Sequence, residues 1–304
     1  YIICVPTPLD HYHRPDLSYV ESASALVSRY VKKGDLISLE STTYPGTTEE
    51  VMIPELEKSG LKANTDFDVA YSPEREDPGN RDFSTAKIPK VVGGDTDTAR
   101  AKAIALYSAI VDRVVPVSSC KVAEAAKVLE NIYRAVNISL VNELKMVYDA
   151  MGIDIWEVID AAATKPFGFK AFYPGPGMGG HCIPVDPFYL TFRARQFGVD
   201  SKFIGLSGTI NREMPRYVVK RLADELRKRG KNMKGAKVLV MGLAYKPDIA
   251  DIRESPSLSV IKLLKKARAT VEYLDPLIPN MPSGTGIRSP KRSIDISEIP
   301  GAAF

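Results

Sequence analysis

The sequence predicts an α/β protein with a parallel sheet near each end of the chain and a helical middle. Three observations predict it. Over residues 1–117, short apolar runs alternate with helix-period segments, the texture of parallel strands joined by crossover helices. From Ser118 the texture changes, and apolar residues recur at intervals of three and four over "CKVAEAAKVLENIYRAVNISLVNELKMVYDAMG", the helical period. At "KVLVMGLAYKPD" the pattern of strand and glycine turn returns. The expected domains are therefore 1–117, 118–232 and 233–304.

Each element has its own reason. "YIICVPTPLD" (1–10) reads as a buried strand entering a Pro-rich loop. "DLSYVESASALVSRYVKKGD" (16–35) is helical, capped by Asp16 or Ser18 and stopped by Gly34. "LISLEST" (36–42), "FDVAYSPE" (67–74), "KVVGG" (90–94) and "RVVPVS" (113–118) are strands; "TTEEVMIPELEKSG" (47–60) and "DTARAKAIALYSAIV" (97–111) are helices. The stretch from about Cys120 to Met151 is one helix, well beyond the usual ~10–14 residues, a length that suits a domain spine or a dimer interface. "IDIWEVIDAAAT" (153–164), "PFYLTFRARQFG" (187–198) and "IGLSGTINREMPRYVVKRLADELRKRG" (204–230) complete the helical region. Then come a strand at 237–241, a helix in "SPSLSVIKLLKKAR" (255–268) and a strand in "TVEYLD" (270–275). Two strands do not make a domain. The opening in mid-strand and the Pro-rich stretch after Pro276 read as cuts through domains.

Composition narrows the class. The 304 residues are 44% hydrophobic and 26% charged, an ordinary globular balance. No apolar run nears the ~20 residues of a membrane span, and the first ten residues lack the basic region of a secretion signal. Cys4, Cys120 and Cys182 lie far apart without a C-x-x-C, which argues against a zinc site and for a reducing, cytoplasmic setting. The net charge of +4 has its signs interspersed. The cluster "LRKRGKNMKG" (226–235) reads as a solvated helix end rather than a nucleic-acid contact, and the basic excess suits an anionic small molecule.

The chemistry-bearing stretch is "GPGMGGHCIPVDP" (175–187). Its glycines permit close backbone approach and positive φ, and its prolines stiffen it. Such a loop can present the Cys182 thiol as a nucleophile toward carbonyl carbon; a buried structural cysteine in a tight turn is the alternative. His181 is adjacent, and adjacent side chains often point apart. Asp186, four residues on, is placed to act through a water if the loop leads into a helix. Lys127 and Asn131 lie one turn apart on one helix face, where they could hydrogen-bond an oxyanion or be solvated. "ESTTYPGTTEE" (40–50) follows a strand, where open α/β sheets bind ligands. Glu74 stands in the same topological position, or in a solvated acidic turn. Lys246 and Arg253 follow a glycine turn, and basic groups there suit a diphosphate.

"VPTPL", "ESTTYPGTT", "SPEREDPGN", "AAKVLENIYRAVNISLVNE", "GPGMGGHCIPVDPFYL" and "GLAYKPDIADIRESPS" occur in this order. In this the sequence resembles the nucleotide-sugar 6-dehydrogenases, the family of UDP-glucose and GDP-mannose dehydrogenases. The resemblance covers nearly the whole chain, and three variants ("SPEREDPGN", "STTYPGTT", "KPFGF") resemble the UDP-N-acetylglucosamine branch. It implies two Rossmann-like domains, both incomplete here, joined by a central helical domain. It implies NAD as cofactor, a UDP-sugar as substrate and a four-electron oxidation of C6 through a cysteine thiohemiacetal and thioester. By position, Cys182 matches the nucleophile, Lys127 and Asn131 the oxyanion stabilisers, and Asp186 the acid/base aspartate. Glu74 matches the glutamate of thioester hydrolysis and Thr42 the threonine that holds a catalytic water. Val5, Pro6, Thr7, Pro8 and Leu9, with Ser41, Thr42 and Thr43, match cofactor-facing loops; Arg253 matches a cofactor-side arginine. Glu74, Arg75, Lys127, Asn131, Tyr173, Pro174, Gly175, Pro176, Gly177, Met178, Gly179 and Lys246 match substrate contacts. A homodimer through the long helix is also implied, with no metal, nucleic acid or membrane.

The sequence departs from the family in three ways. The G-x-G-x-x-G turn and its ribose-binding acid are absent, which predicts that the chain as given binds NAD poorly and does not turn over. Pro78 stands where UDP-glucose enzymes carry a second glutamate. The partner-subunit arginine has only Lys165 and Lys170 as local substitutes. The last two weaken a UDP-glucose assignment and accord with a 2-acetamido sugar; UDP-N-acetylmannosamine and UDP-glucose are the other candidates. Two rival readings are a non-catalytic dimerising scaffold and a metal or redox protein using Cys4, His11 and His13.

Overall fold

The computed structural model describes residues 1–10, 14–77, 79–80, 82–180, 182–288 and 290–301, with the side chains of 182–185, 298, 300 and 301 outside that description. Two compact units emerge, one of residues 1–133 with 185–201 and one of 134–184 with 202–304.

The first unit carries a five-stranded sheet in the order β1-β2-β3-β4-β5. Its strands are β1 (Ile2–Ile3), β2 (Leu36–Leu39), β3 (Asp68–Tyr71), β4 (Lys90–Gly94) and β5 (Val114–Val117). β1, β2 and β3 run parallel, as do β4 and β5. The fully parallel sheet expected from the sequence fails at one join: β3 and β4 are antiparallel, with Ala70 opposite Gly94. The cause lies in the connection. A parallel return needs a crossover, usually a helix, and among the described residues between β3 and β4 the chain forms only a 3-10 turn at Thr85–Lys87.

Helices cover this sheet. α1 (Ser18–Val27) begins where Asp16 accepts the Ser18 N–H at 3.0 Å. It ends well before Gly34, whose positive φ of 88° serves the turn into β2 instead. The expected helix over 47–60 is a mixture: a π-helical turn (Thr48–Met52), then α2 (Ile53–Leu56), then a 3-10 turn (Glu57–Ser59). Pro54 lacks the N–H that a regular ladder needs here. α3 is Asp97–Ser108, capped by the Thr96 side chain. The core gathers Ile37, Leu39, Phe67, Val69, Tyr71, Met52 and Leu56. β1 is less buried than expected, with Ile3 in the core and Ile2 exposed.

α4 (Cys120–Met151) is the long helix the sequence predicts, and the boundary between units falls within it, after Tyr133. α5 (Ile155–Ala163) is capped by Asp154. α6 (Cys182–Gln196) starts at the cysteine itself, five residues before the predicted helix at Pro187. α7 spans Lys202–Lys228.

In the second unit, β6 (Lys237–Met241) and β7 (Thr270–Leu274) pair in parallel around α8 (Pro256–Lys266). Leu243, Val260, Ile261, Leu264 and Tyr273 form their core, joined by Val218, Val219 and Leu222 of α7. Among the described residues no helix is long and apolar enough to cross a membrane.

Candidate active site

Within the first unit, the first half of α4 buries three polar side chains. Glu124, Lys127 and Asn131 follow one another at helical spacing, so they share a face, and all three are buried. Asn131 donates its Nδ2 hydrogen to Asp186 Oδ2 at 2.6 Å. Asp186 is itself only 2% exposed. Burial pushes its carboxyl up to about 7, against the Lys127 cation and the Asn131 hydrogen bond, which favour the ionised form. A carboxyl poised there can take or give a proton near neutral pH. The structure thus brings together three of the residues singled out from the sequence: Lys127, Asn131 and Asp186.

Glu124 is a residue the sequence reading missed. It accepts hydrogen bonds from the Thr48 N–H at 2.9 Å, the Thr48 hydroxyl at 2.7 Å and the Gly46 N–H. Burial pushes its carboxyl up to about 7 even so. It ties the face carrying Lys127 and Asn131 to the loop of residues 41–48. The available signal was its place three residues before Lys127, on the same helix face.

Two loops at strand ends stand beside this cluster in sequence order. Ser41 clasps the first of them, accepting from the Val5 N–H at 2.9 Å and donating to the Val5 carbonyl at 2.8 Å. Tyr189 of α6 donates to the Thr7 carbonyl at 2.8 Å and contacts the Pro8 carbonyl at 3.1 Å. Pro6 is exposed, Leu9 and Thr42 are half-buried, and Thr43 is fully buried. The loop after a parallel strand is where open α/β sheets bind ligands. These residues fit a dinucleotide such as NAD.

Glu74 is exposed and its carboxylate turns back on its own loop, accepting the Arg75 and Glu76 N–H groups at 2.7 and 2.6 Å. Lys90 Nζ lies 3.6 Å from Glu74 and 3.4 Å from Glu40. Arg75 pairs with Glu130 at 2.7 Å and donates to the Pro89 carbonyl at 2.6 Å. No hydrogen bond among the described residues joins Glu74 to the Asp186 cluster.

In the second unit, the glycine-rich loop is held on both sides. Gly177 has φ +128° and a Cβ there would lie 3.2 Å from the Asn211 carbonyl oxygen; at Gly179 a Cβ would lie 2.5 Å from the Tyr245 Cβ. The clash at Gly179 and the positive φ at Gly177 both disfavour a side chain, as the loop's composition predicts. Gly175 meets only a distant neighbour at 3.8 Å, although its N–H donates to Asn142 Oδ1 at 2.9 Å. Tyr173 is exposed and donates to Asp160 at 2.7 Å. Pro174 and Met178 are half-buried and Pro176 is exposed. Lys246 is half-buried. Arg253 is exposed, pairs with Asp251 at 2.6 Å, and its carbonyl accepts the Gly180 N–H at 2.8 Å. The Cys182 side chain, His181, Pro78, His11 and His13 lie outside the described residues.

Strands ending in polar loops, with a buried acid–amide pair in the same unit, define an open α/β protein, a class that binds its ligands at the strand ends. Comparison with known proteins makes this specific. Models of the UDP-glucose/GDP-mannose dehydrogenase family match in chain order: the NAD binding domain at residues 1–111, the central domain at 121–213 and the UDP binding domain at 239–296. The UDP-N-acetyl-D-glucosamine 6-dehydrogenase of Pseudomonas aeruginosa is 42% identical over 91% of this chain and 66% of its own. That of Salmonella typhi is 38% identical over 100% of this chain and 71% of its own. The structure of a UDP-D-ManNAc dehydrogenase from Pyrococcus horikoshii superposes with a TM-score of 0.84 at 36% identity, covering 91% of this chain and 65% of that one. The chain belongs to the UDP-glucose/GDP-mannose dehydrogenase family. It spans about two thirds of the length of these relatives.

Proposed function

We propose that the protein is an NAD-dependent nucleotide-sugar 6-dehydrogenase, with UDP-N-acetylglucosamine as its substrate. The observation that carries this reading is the buried pair of Asn131, on α4 beside Lys127, and Asp186, on the helix that begins at Cys182. The choice of sugar is supported by the 42% identity to the P. aeruginosa relative and by the sequence variants at Pro78 and the 40–50 loop.

The chemistry follows from what each side chain can do. The Val5–Leu9 and Ser41–Thr43 loops would hold NAD, which would supply the hydride acceptor, one molecule for each of the two oxidations. Asp186, acting through a water, takes the proton of the C6 hydroxyl as the alcohol becomes an aldehyde. The Cys182 sulfur bonds to the aldehyde carbon, and the carbonyl oxygen becomes an oxyanion. Lys127 and Asn131 hold that oxyanion; preorganised donors of this kind contribute about 10²–10³ in rate. The second oxidation leaves a thioester. A water positioned by Thr42 loses a proton to the Glu74 carboxylate as its oxygen bonds to the thioester carbon. The C–S bond then breaks, releasing the uronic acid and the Cys182 thiolate. Covalent capture keeps the aldehyde from escaping. Arg75 and residues 173–179 contact the sugar nucleotide, and Lys246 and Arg253 supply positive charge to the diphosphates. The protein acts in the cytoplasm as a homodimer through α4, whose Leu129, Tyr133 and Leu140 are exposed.

The test is NADH formation by the full-length protein with UDP-N-acetylglucosamine, UDP-N-acetylmannosamine and UDP-glucose in parallel. The expected outcome is two NADH per UDP-N-acetylglucosamine consumed, with the other two sugars slower by at least an order of magnitude. Preference for the mannosamine sugar moves the assignment to the chemistry of the P. horikoshii relative. Sugar-nucleotide binding without NADH from any of the three supports the scaffold reading and overturns this one.

A further inference from the structure

The second half of α4 buries a polar network that the reaction above does not use. Asn142 is fully buried in mid-helix. Its Oδ1 accepts the Gly175 N–H at 2.9 Å, and its Nδ2 donates to Asn211 Oδ1 of α7 at 2.8 Å. Asn211, also buried, donates from its own Nδ2 to Ser139 Oγ at 2.5 Å and approaches the Met178 sulfur at 3.5 Å. Ser139 and Ser207 share a hydrogen bond at 2.7 Å, and Ser139 also donates to the Ala135 carbonyl at 2.7 Å.

The direction of this network is fixed by its end. A backbone N–H can only donate, so the Gly175 amide requires the oxygen of Asn142. That choice turns Asn142 Nδ2 toward the Asn211 oxygen, which in turn aims the Asn211 amide hydrogens at Ser139. Asparagine is a poor helix former, and a buried amide is tolerated only when its hydrogen bonds are made. Leucine or alanine would pack two helices together with fewer demands. The two asparagines satisfy something an apolar contact cannot: the backbone of a loop with no strand or helix partner of its own. They grip it on either side of Gly177, at the Gly175 amide and the Met178 side chain, and a Cβ at Gly177 would sit tightly, 3.2 Å from the Asn211 carbonyl oxygen.

We infer that Asn142, backed by Asn211, is a positioning residue that sets the path of the 175–179 loop and thereby the affinity of the protein for its sugar nucleotide. The affinity half of this inference rests on the proposed function, in which that loop contacts the substrate.

Asn142→Ala and Ser207→Ala, made separately in the full-length protein, test it by amide hydrogen exchange and steady-state kinetics. Asn142→Ala is expected to speed exchange across residues 175–178 and to raise KM for the sugar nucleotide at least tenfold, with KM for NAD changed less than twofold. Ser207→Ala is expected to lower the melting temperature and leave both KM values unchanged. Unchanged exchange in Asn142→Ala overturns the anchor, and so does an equal rise in both KM values. Faster exchange with an unchanged sugar-nucleotide KM supports the anchor and overturns the substrate role of the loop. Should Asn142→Ala fail to fold, Asn142→Ser, whose hydroxyl is too short to reach Gly175, serves in the same comparison.

Discussion

The two halves of α4 bury polar side chains in opposite ways. The first half buries groups that ionise: Glu124, Lys127 and, across a hydrogen bond from Asn131, Asp186. The second half buries groups that stay neutral: Ser139 and Asn142, bonded to Ser207 and Asn211. A step of three residues, Glu124 to Lys127 and Ser139 to Asn142, recurs in both. A buried ionisable group can change its protonation state during a reaction, and its stability contribution changes with pH. A buried amide can do neither; it holds geometry at every pH. The first half has the properties of proton chemistry and the second those of a scaffold for a loop.

The largest expected effect is on turnover. Asp186→Asn keeps the size of the side chain and removes the titrating carboxyl, so on the proposed mechanism kcat falls by about 10²–10⁴, while sugar-nucleotide binding measured by calorimetry changes little. A loss of binding equal to the loss of rate would place Asp186 with Asn142 as a positioning group and erase the contrast between the halves.

The next effect is on stability. Burial raises both Asp186 and Glu124 to about 7 in the folded protein. Below pH ~4 both states hold these protons. Between about 4 and 7 the unfolded chain releases them and the folded chain retains them. These two groups therefore favour folding at low pH, and that contribution is lost as pH rises through this window. Each raised group is worth on the order of a few kcal/mol across it, at about 1.4 kcal/mol per pH unit. Denaturant unfolding at pH 5, 6, 7 and 8 is expected to show Asp186→Asn gaining on the parent protein as pH rises. A pH-independent difference would mean that Asp186 is already ionised in the folded state.

Much of the fold was legible because periodicity reports burial directly. The long helix was read to within a residue, since its apolar spacing runs without a proline from Cys120 to Met151. The antiparallel join was not, because it depends on what is missing between β3 and β4, and a loop with a 3-10 turn leaves no periodic signal. The site divides the same way. Lys127, Asn131 and Asp186 were legible from helical spacing and from the ordered motifs that resemble the family. Glu124 was not, because an acid on a helix is ordinarily solvated, and its burial depends on loop amides some 76 residues away. Asn142 was hidden for the same reason: its partner in α7 is 69 residues distant and its partner in the loop 33.

The smallest effect tests the neutral half alone. Ser207→Ala deletes the hydroxyl bonded to Ser139 Oγ at 2.7 Å. Ser139 keeps the Ala135 carbonyl as acceptor and the Asn211 amide as donor, so no buried atom is stranded. The loss should then be that of one ordinary hydrogen bond, about 1 kcal/mol, rather than the larger penalty of an unsatisfied group. Because nothing in the pair titrates, the loss should be the same at pH 5 and pH 8 in the denaturant series that separates Asp186→Asn from its parent. A loss that grew with pH would mean that the charged half of α4 is felt through the helix by the neutral half, and the two would have to be treated as a single network.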